Sequence, residues 1–219
     1  FGEVWIIDHS TTIKEAAGHT GGKYGKGGDL LYRWGNPVVY QKGSTQDQKF
    51  FFQHDAHWIP EGFPHENCIS VFNNERISNG IRFSSIDVLN PAVDANGFYD
   101  NQLPHDPTDV KWFYIAEEPK DFYSSILGSA QHLSNGNVLI CDGGSGYFFE
   151  IDTAKNELWR YNNPVTISGV TWQGQNTRRE NQLFRCTFYP NTYSAFAGKD
   201  LTRKGLIENR TSLVNFCTD

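Results

Sequence analysis

Seven histidines occur, at positions 9, 19, 54, 57, 65, 105 and 132, and only Gln53-His54-Asp55-Ala56-His57-Trp58 places two within one strand-length segment. A neutral imidazole can act near neutral pH as nucleophile, general base or metal ligand, so this string is where chemistry is first sought. On a strand the side chains alternate, which puts His54 and Ala56 on one face and Asp55 and His57 on the other. One imidazole can then line a cavity, and the other follows it only if the strand bulges. As a metal site, His54-x-x-His57 with Asp55 is a poor match: the spacing is not the i, i+4 of a helical zincin, and no third ligand is adjacent. No metal and no cofactor are expected. The ordinary role of a histidine among β-strand aromatics is a hydrogen-bonded core group.

The elements that must position these residues repeat along the chain. One unit runs Gln53 to Gly62, then Asn67 to Asn74 (NCISVFNN), then Phe83 to Val88; the second runs Gly128 to Gly136, then Asn137 to Gly144 (NVLICDGG), then Tyr147 to Asp152. A fourth strand closes each unit and carries tryptophan, with Trp34, Trp112 and Trp159 at steps of 78 and 47 residues. The second step is close to the ~40–50 residues of a four-stranded propeller blade. The predicted fold is therefore all-β, a partial β-propeller. It has two complete four-stranded blades (about 53–115 and 128–161), a half blade from strands near 3–8 and 30–34, and one further strand near 182–189. Rings close with about 4 to 8 blades, so this stretch cannot close alone. Residues 18–28 and 90–109 read as loop insertions and the tail from Pro190 as irregular packing, with no interdomain linker. Residues 1–219 are expected to be one propeller segment.

Composition agrees and excludes other classes. The chain has 219 residues, 15% of them aromatic, with 21 Gly and 9 Pro, which suits short strands and tight turns. No apolar run approaches the ~18 residues of a membrane span, and a net charge of -6 offers no basic face to a phosphate backbone. Membrane spanning and nucleic-acid binding are not expected. There is no Met, and the chain opens on the strand-like Phe1-Gly2-Glu3-Val4-Trp5-Ile6-Ile7, the pattern of a processed chain or a piece of a longer one. Cys68 and Cys141 lie in apolar runs and are expected to be buried small hydrophobes, leaving Cys186 with Cys217 as the favoured bridge. The sequon Asn209-Arg210-Thr211 carries little weight.

Several motifs occur in one order: Trp5 to Thr12 (WIIDHSTT), Gly27 to Pro37 (GGDLLYRWGNP), Gln53 to Gly62 (QHDAHWIPEG), Val71 to Asn74 (VFNN) and Gly128 to Asn137 (GSAQHLSNGN). Together, over residues 1 to 205, they resemble the bacterial aryl-sulfate sulfotransferase family. That resemblance implies a six-bladed propeller exported to the periplasm, cell surface or medium, moving sulfuryl groups between phenols without a nucleotide donor. It further implies a histidine nucleophile at His54. A neutral imidazole nitrogen attacks sulfur in line, and the resulting sulfohistidine splits one difficult transfer into two easier ones. The dispersed negative charge of the sulfuryl oxygens calls for positioned donors. Asn73, Asn74, Arg76, Arg82, Ser129 and Gln131 are the candidate substrate-binding groups, being on or just beyond strands that would converge on the channel.

Two departures accompany the resemblance. The family's inner-strand His-x-Asn motif and a following Arg belong upstream of Phe1, and Glu75 stands where the family usually has Gly. The sequence thus supports two functions. One is the C-terminal part of a sulfotransferase acting on a small aryl sulfate and a phenol, completed by upstream blades or an oligomeric partner. The other is a catalytically inactive exported propeller that binds a protein or glycan. Upstream sequence carrying the missing motif favours the first, and a chain that starts at Phe1 favours the second.

Overall fold

Residues 69–75 form an unbroken buried run, which a strand can hold only if both of its faces are covered. The computed structural model, which describes residues 1–99, 110–173, 180–203 and 205–208, shows how this is done. Strands β1 (Val4–Ile7) and β2 (Leu30–Trp34) form a two-stranded antiparallel sheet. Strands β3 (His54–Trp58), β4 (Ile69–Ser78), β5 (Ile81–Leu89) and β6 (Val110–Tyr114) form a four-stranded meander in chain order. A second meander follows: β7 (Ser129–His132), β8 (Val138–Asp142), β9 (Tyr147–Ile151) and β10 (Glu157–Asn162). Helix is limited among the described residues to α1 (Ile13–Ala16), capped by Thr12 and Glu15, and a few 3-10 turns.

The period-two alternation of β4 divides its residues between two cores. Ile69 and Val71 pack with Val4, Tyr32, Trp34, Phe50 and Leu89, joining the first sheet to the second. Phe72, with Ile86 and Tyr114, faces the other way onto Ala130, Val138, Ile140, Phe149 and Ile151 of the third sheet. Phe122 wedges between them, its ring 5.6 Å from Phe72 and 5.4 Å from Phe149 in near-perpendicular contacts. Three sheets thus stack face to face.

Gly128 enters the third sheet at φ +113, and a Cβ added there would lie 2.7 Å from the buried Phe72 ring. Gly128→Ala combines backbone strain with a clash inside the aromatic core, so it should lower stability by about 2–4 kcal/mol, read as a fall in the urea midpoint at unchanged m.

The strand limits of both four-stranded units agree with the sequence reading. Two features differ from it. Residues 182–189 form no strand; they run along β7 in extended form and are held largely by side chains. A small hairpin, β11 (Val165–Thr166) with β12 (Gly169–Val170), follows β10 and is not among the strands expected from sequence. The loop-like segment 90–109 lies partly outside the described residues; its described portion contains an isolated bridge between Val93 and Tyr99. Among the described residues no helix is long and apolar enough to cross a membrane.

Candidate functional site

Strand β3 does not alternate strictly. His54 stands opposite Phe72 and His57 opposite Ser70, so three steps on β3 match two on β4, and the extra residue is absorbed at Asp55 with φ +54. Phe72 and Ser70 share a face of β4, so the bulge brings His54 and His57 onto one side of the sheet, where strict alternation would have separated them. β4 bulges as well, between Asn73 and Arg76, opposite Ser85 and Phe83.

The imidazole of His54 is fixed at one nitrogen. Its Nδ1 lies 2.8 Å from the Phe52 carbonyl oxygen and 2.7 Å from Asn74 Oδ1. A backbone carbonyl only accepts, so Nδ1 carries the hydrogen. The Asn74 amide is oriented in turn, because its Nδ2 donates to the carbonyls of Ser124 at 2.9 Å and Leu127 at 2.7 Å, which leaves Oδ1 as the acceptor facing His54. Asn74 and Ser124 are fully buried between the sheets. Nε2 of His54 is thereby left with its lone pair.

Asp55 ties the two four-stranded sheets together. Its Oδ2 accepts from the Ala130 N–H at 3.2 Å, and its Oδ1 is 3.7 Å from an Arg185 guanidinium nitrogen. His57 donates from Nδ1 to the Asp55 carbonyl at 2.8 Å, which leaves its Nε2 as an acceptor also. Between β3, β7 and residues 185–187 lies a cleft of about 310 Å³, lined by the apolar side chains of Trp58, Pro60 and Phe63 and the polar groups of His57, Gln131 and Arg185; His54 does not line it.

The other sequence candidates are distributed as follows. Asn73 is buried, accepts from the Phe51 N–H at 3.1 Å and donates to the Lys49 carbonyl at 2.8 Å, fastening the segment before β3. Arg76 pairs at 2.5 Å with the buried Asp87, which also accepts from Ser85 at 2.9 Å. Burial pushes the Asp87 carboxyl up, against the pull of Arg76 and the hydrogen bonds from Ser85 and Asn73. Arg82 is paired at 2.8 Å with Glu75, which also accepts from Tyr123 at 3.0 Å, so this carboxylate is taken up locally. Ser129 and Gln131 line the cleft. Both also hold the 186–188 segment: Ser129 Oγ accepts from the Cys186 N–H, and Gln131 makes two bonds to the backbone of Phe188. The structure thus groups His54 with Asn74, and Ser129 with Gln131, while Asn73, Arg76 and Arg82 belong to separate polar contacts.

Arg185 and His132 escaped the sequence reading. Arg185 lies in a segment without strand periodicity, and no local signal marks it. His132 is 5% exposed with Nε2 unpartnered, its ring 5.6 Å from Trp112 and 6.2 Å from His65. Desolvation first, then the neighbouring His65 and His57, pushes its pKa down to about 4. The unfolded chain takes up this proton near the ordinary 6.5 and the folded chain near 4. The contribution is therefore fully present above pH ~6.5 and is lost as pH falls toward ~4, by up to about 3 kcal/mol. Urea midpoints measured from pH 7 to 4.5 should fall more steeply for the native chain than for His132→Phe. The string His65-Glu66-Asn67 has the His-x-Asn spacing, but it occupies the turn before β4, with both end residues at positive φ (65 and 61). Among the described residues no three His, Cys, Asp or Glu side chains converge as a ligand set.

Neither a curated protein nor a solved structure matches the chain. The model of the arylsulfotransferase (ASST) family matches residues 35–164, a span that takes in the bulged β3 strand, the Asn74 contact and all strands of both four-stranded sheets. That match covers more than half of the 219 residues and supports an aryl sulfotransferase role in general terms. The chain belongs to the arylsulfotransferase family.

Proposed function

We propose that the chain is the C-terminal part of an exported propeller, acting in the periplasm, at the cell surface or outside the cell. Residues 1–219 form one segment of a six-bladed ring, with β3 and β7 as inner strands of consecutive blades. The protein moves a sulfuryl group from an aryl sulfate to a phenol through a sulfohistidine at His54. The observation that carries this reading is the Nδ1–H of His54 held by Phe52 and Asn74, which presents the other ring nitrogen as a nucleophile.

In the first half-reaction Nε2 attacks sulfur, the N–S bond forms and the S–O bond to the arene breaks, releasing the phenolate. Positive charge develops on the imidazole, and the Asn74 carbonyl oxygen and the Phe52 carbonyl stabilise it without placing a full negative charge against the incoming sulfuryl group. In the second half-reaction the acceptor phenol attacks sulfur and the N–S bond breaks, restoring His54. The cleft, which His54 adjoins through Asp55 without lining it, holds the arene beside Trp58, Pro60 and Phe63. Arg185 faces the anionic group, and His57 Nε2 accepts the acceptor's proton. Ser129 and Gln131 also line the cleft. Asn73 and Arg76 support β4 behind Asn74.

Rapid mixing of the full-length protein with an aryl sulfate tests this reading. Phenol release should show a burst matching the enzyme concentration, and steady-state kinetics with an acceptor should be ping-pong. A sequential pattern without a burst contradicts the covalent intermediate. Absence of turnover in a correctly folded full-length protein favours the protein- or glycan-binding module.

A further inference from the structure

Residues 182–189 lie along the edge of β7 although they form no strand. Leu183 donates to the Gly143 carbonyl at 3.0 Å, Gly128 donates to the Phe184 carbonyl at 3.3 Å, and Cys186 donates to Ser129 Oγ at 3.3 Å. Ser129 of β7 stands directly opposite Cys141 of β8. Opposed residues of an antiparallel pair project from the same face, so Cys141 and Ser129 point together and Cys186 is laid against both. The two thiols are free in the structure, and each perturbs the other's titration, Cys141 upward and Cys186 downward. Cys141 is fully buried, whereas Cys186 is partly exposed.

We propose that Cys141 and Cys186 are a redox pair whose disulfide fastens the Arg185-bearing segment onto the cleft. The inference is independent of the sulfotransfer reading, since it rests only on the apposition of the two cysteines and on the wall that Arg185, Cys186 and Thr187 contribute to the cleft. It replaces the Cys186–Cys217 pairing expected from sequence; Cys217 lies outside the described residues.

The oxidant required is a small-molecule disulfide such as oxidised glutathione. Cys186 is the attacking sulfur, because it is the more exposed of the two and the neighbouring Cys141 thiol and Ser129 hold its thiol below the ordinary range, whereas the neighbouring Cys186 thiol and burial push Cys141 up. The Cys186 thiolate attacks one glutathione sulfur, the glutathione S–S bond breaks and one glutathione thiol leaves. Cys141 then loses its proton and attacks the Cys186 sulfur, and the second glutathione thiol leaves. The protein loses two protons and two electrons, and the electrons reduce oxidised glutathione to two thiols.

The test uses full-length protein incubated with oxidised glutathione, alkylated with N-ethylmaleimide under denaturing conditions, digested and analysed by mass spectrometry. The expected result is one linked peptide pair containing Cys141 and Cys186, with Cys68 alkylated. Alkylation of both Cys141 and Cys186, a Cys186–Cys217 link, or glutathione retained on Cys186 overturns the proposal. Thermal melting separates fastening from mere proximity. A phosphine reductant should lower the melting temperature of the oxidised protein by about 5 °C or more and leave Cys186→Ser unchanged. A linked pair whose reduction leaves the melting temperature unmoved overturns the fastening role.

Discussion

His54→Asn should lower turnover of an aryl sulfate by about a thousandfold or more and abolish the burst of phenol, while the urea midpoint stays close to that of the native protein. The imidazole is half-buried and makes two hydrogen bonds, both from Nδ1. An asparagine amide can still donate toward Phe52 and Asn74, so the local fold has a substitute donor. What it lacks is a nitrogen lone pair able to attack sulfur. The loss therefore falls on chemistry instead of stability, and turnover retained in this variant contradicts the assignment.

Asn74→Ala should lower kcat by about 10- to 150-fold and leave KM nearly unchanged. The Asn74 carbonyl oxygen accepts from Nδ1–H, and that bond strengthens only as the ring becomes cationic on attack. A hydrogen bond to a charged group contributes about 1.5–3 kcal/mol, which converts to that range of rates. The Phe52 carbonyl still selects the Nδ1–H tautomer, so the loss stays smaller than for His54 itself. Nitrogen-15 spectra of His54 should keep the native protonation pattern in Asn74→Ala. The variant also leaves the Leu127 carbonyl without a donor and the Ser124 carbonyl with only the long bond from Ser84 Oγ, so its urea midpoint should fall, unlike that of His54→Asn. A variant with native kcat contradicts the positioning role.

Both four-stranded units were legible before the structure because their signals are local. Runs such as Cys68 to Phe72 and Val138 to Cys141 sit between turn residues, and the recurring tryptophan marks the closing strand. The histidine string and the Asn73-Asn74 pair were legible also, but not how they meet. The bulge at Asp55 turns His57 to the side of His54, and the Asn74 amide is aimed at the imidazole by its bonds to the distant Ser124 and Leu127 carbonyls. A bulge inserts one residue into a ladder and depends on the partner strand, which a pattern of period two cannot register. The placement of Arg185 on the cleft and of Cys186 beside Cys141 was not legible for a related reason. Their segment is placed by Ser129 and Gln131 side chains and by the Gly143 carbonyl, contacts from residues forty or more positions away that leave no periodicity in the segment itself. The 182–189 stretch is apolar and aromatic enough to read as a strand, yet side chains take the hydrogen bonds that a neighbouring strand would have supplied.

The covalent step is tested most directly by trapping it. Full-length protein is mixed with an aryl sulfate in the absence of acceptor, quenched within the burst at alkaline pH, digested and analysed by mass spectrometry. The account predicts that the peptide containing Gln53-His54-Asp55 gains the mass of one sulfuryl group. The adduct should be localised to His54, lost on addition of a phenol and absent in His54→Asn. A burst of phenol with the sulfuryl group on any other residue, or with no labelled peptide at all, would contradict it.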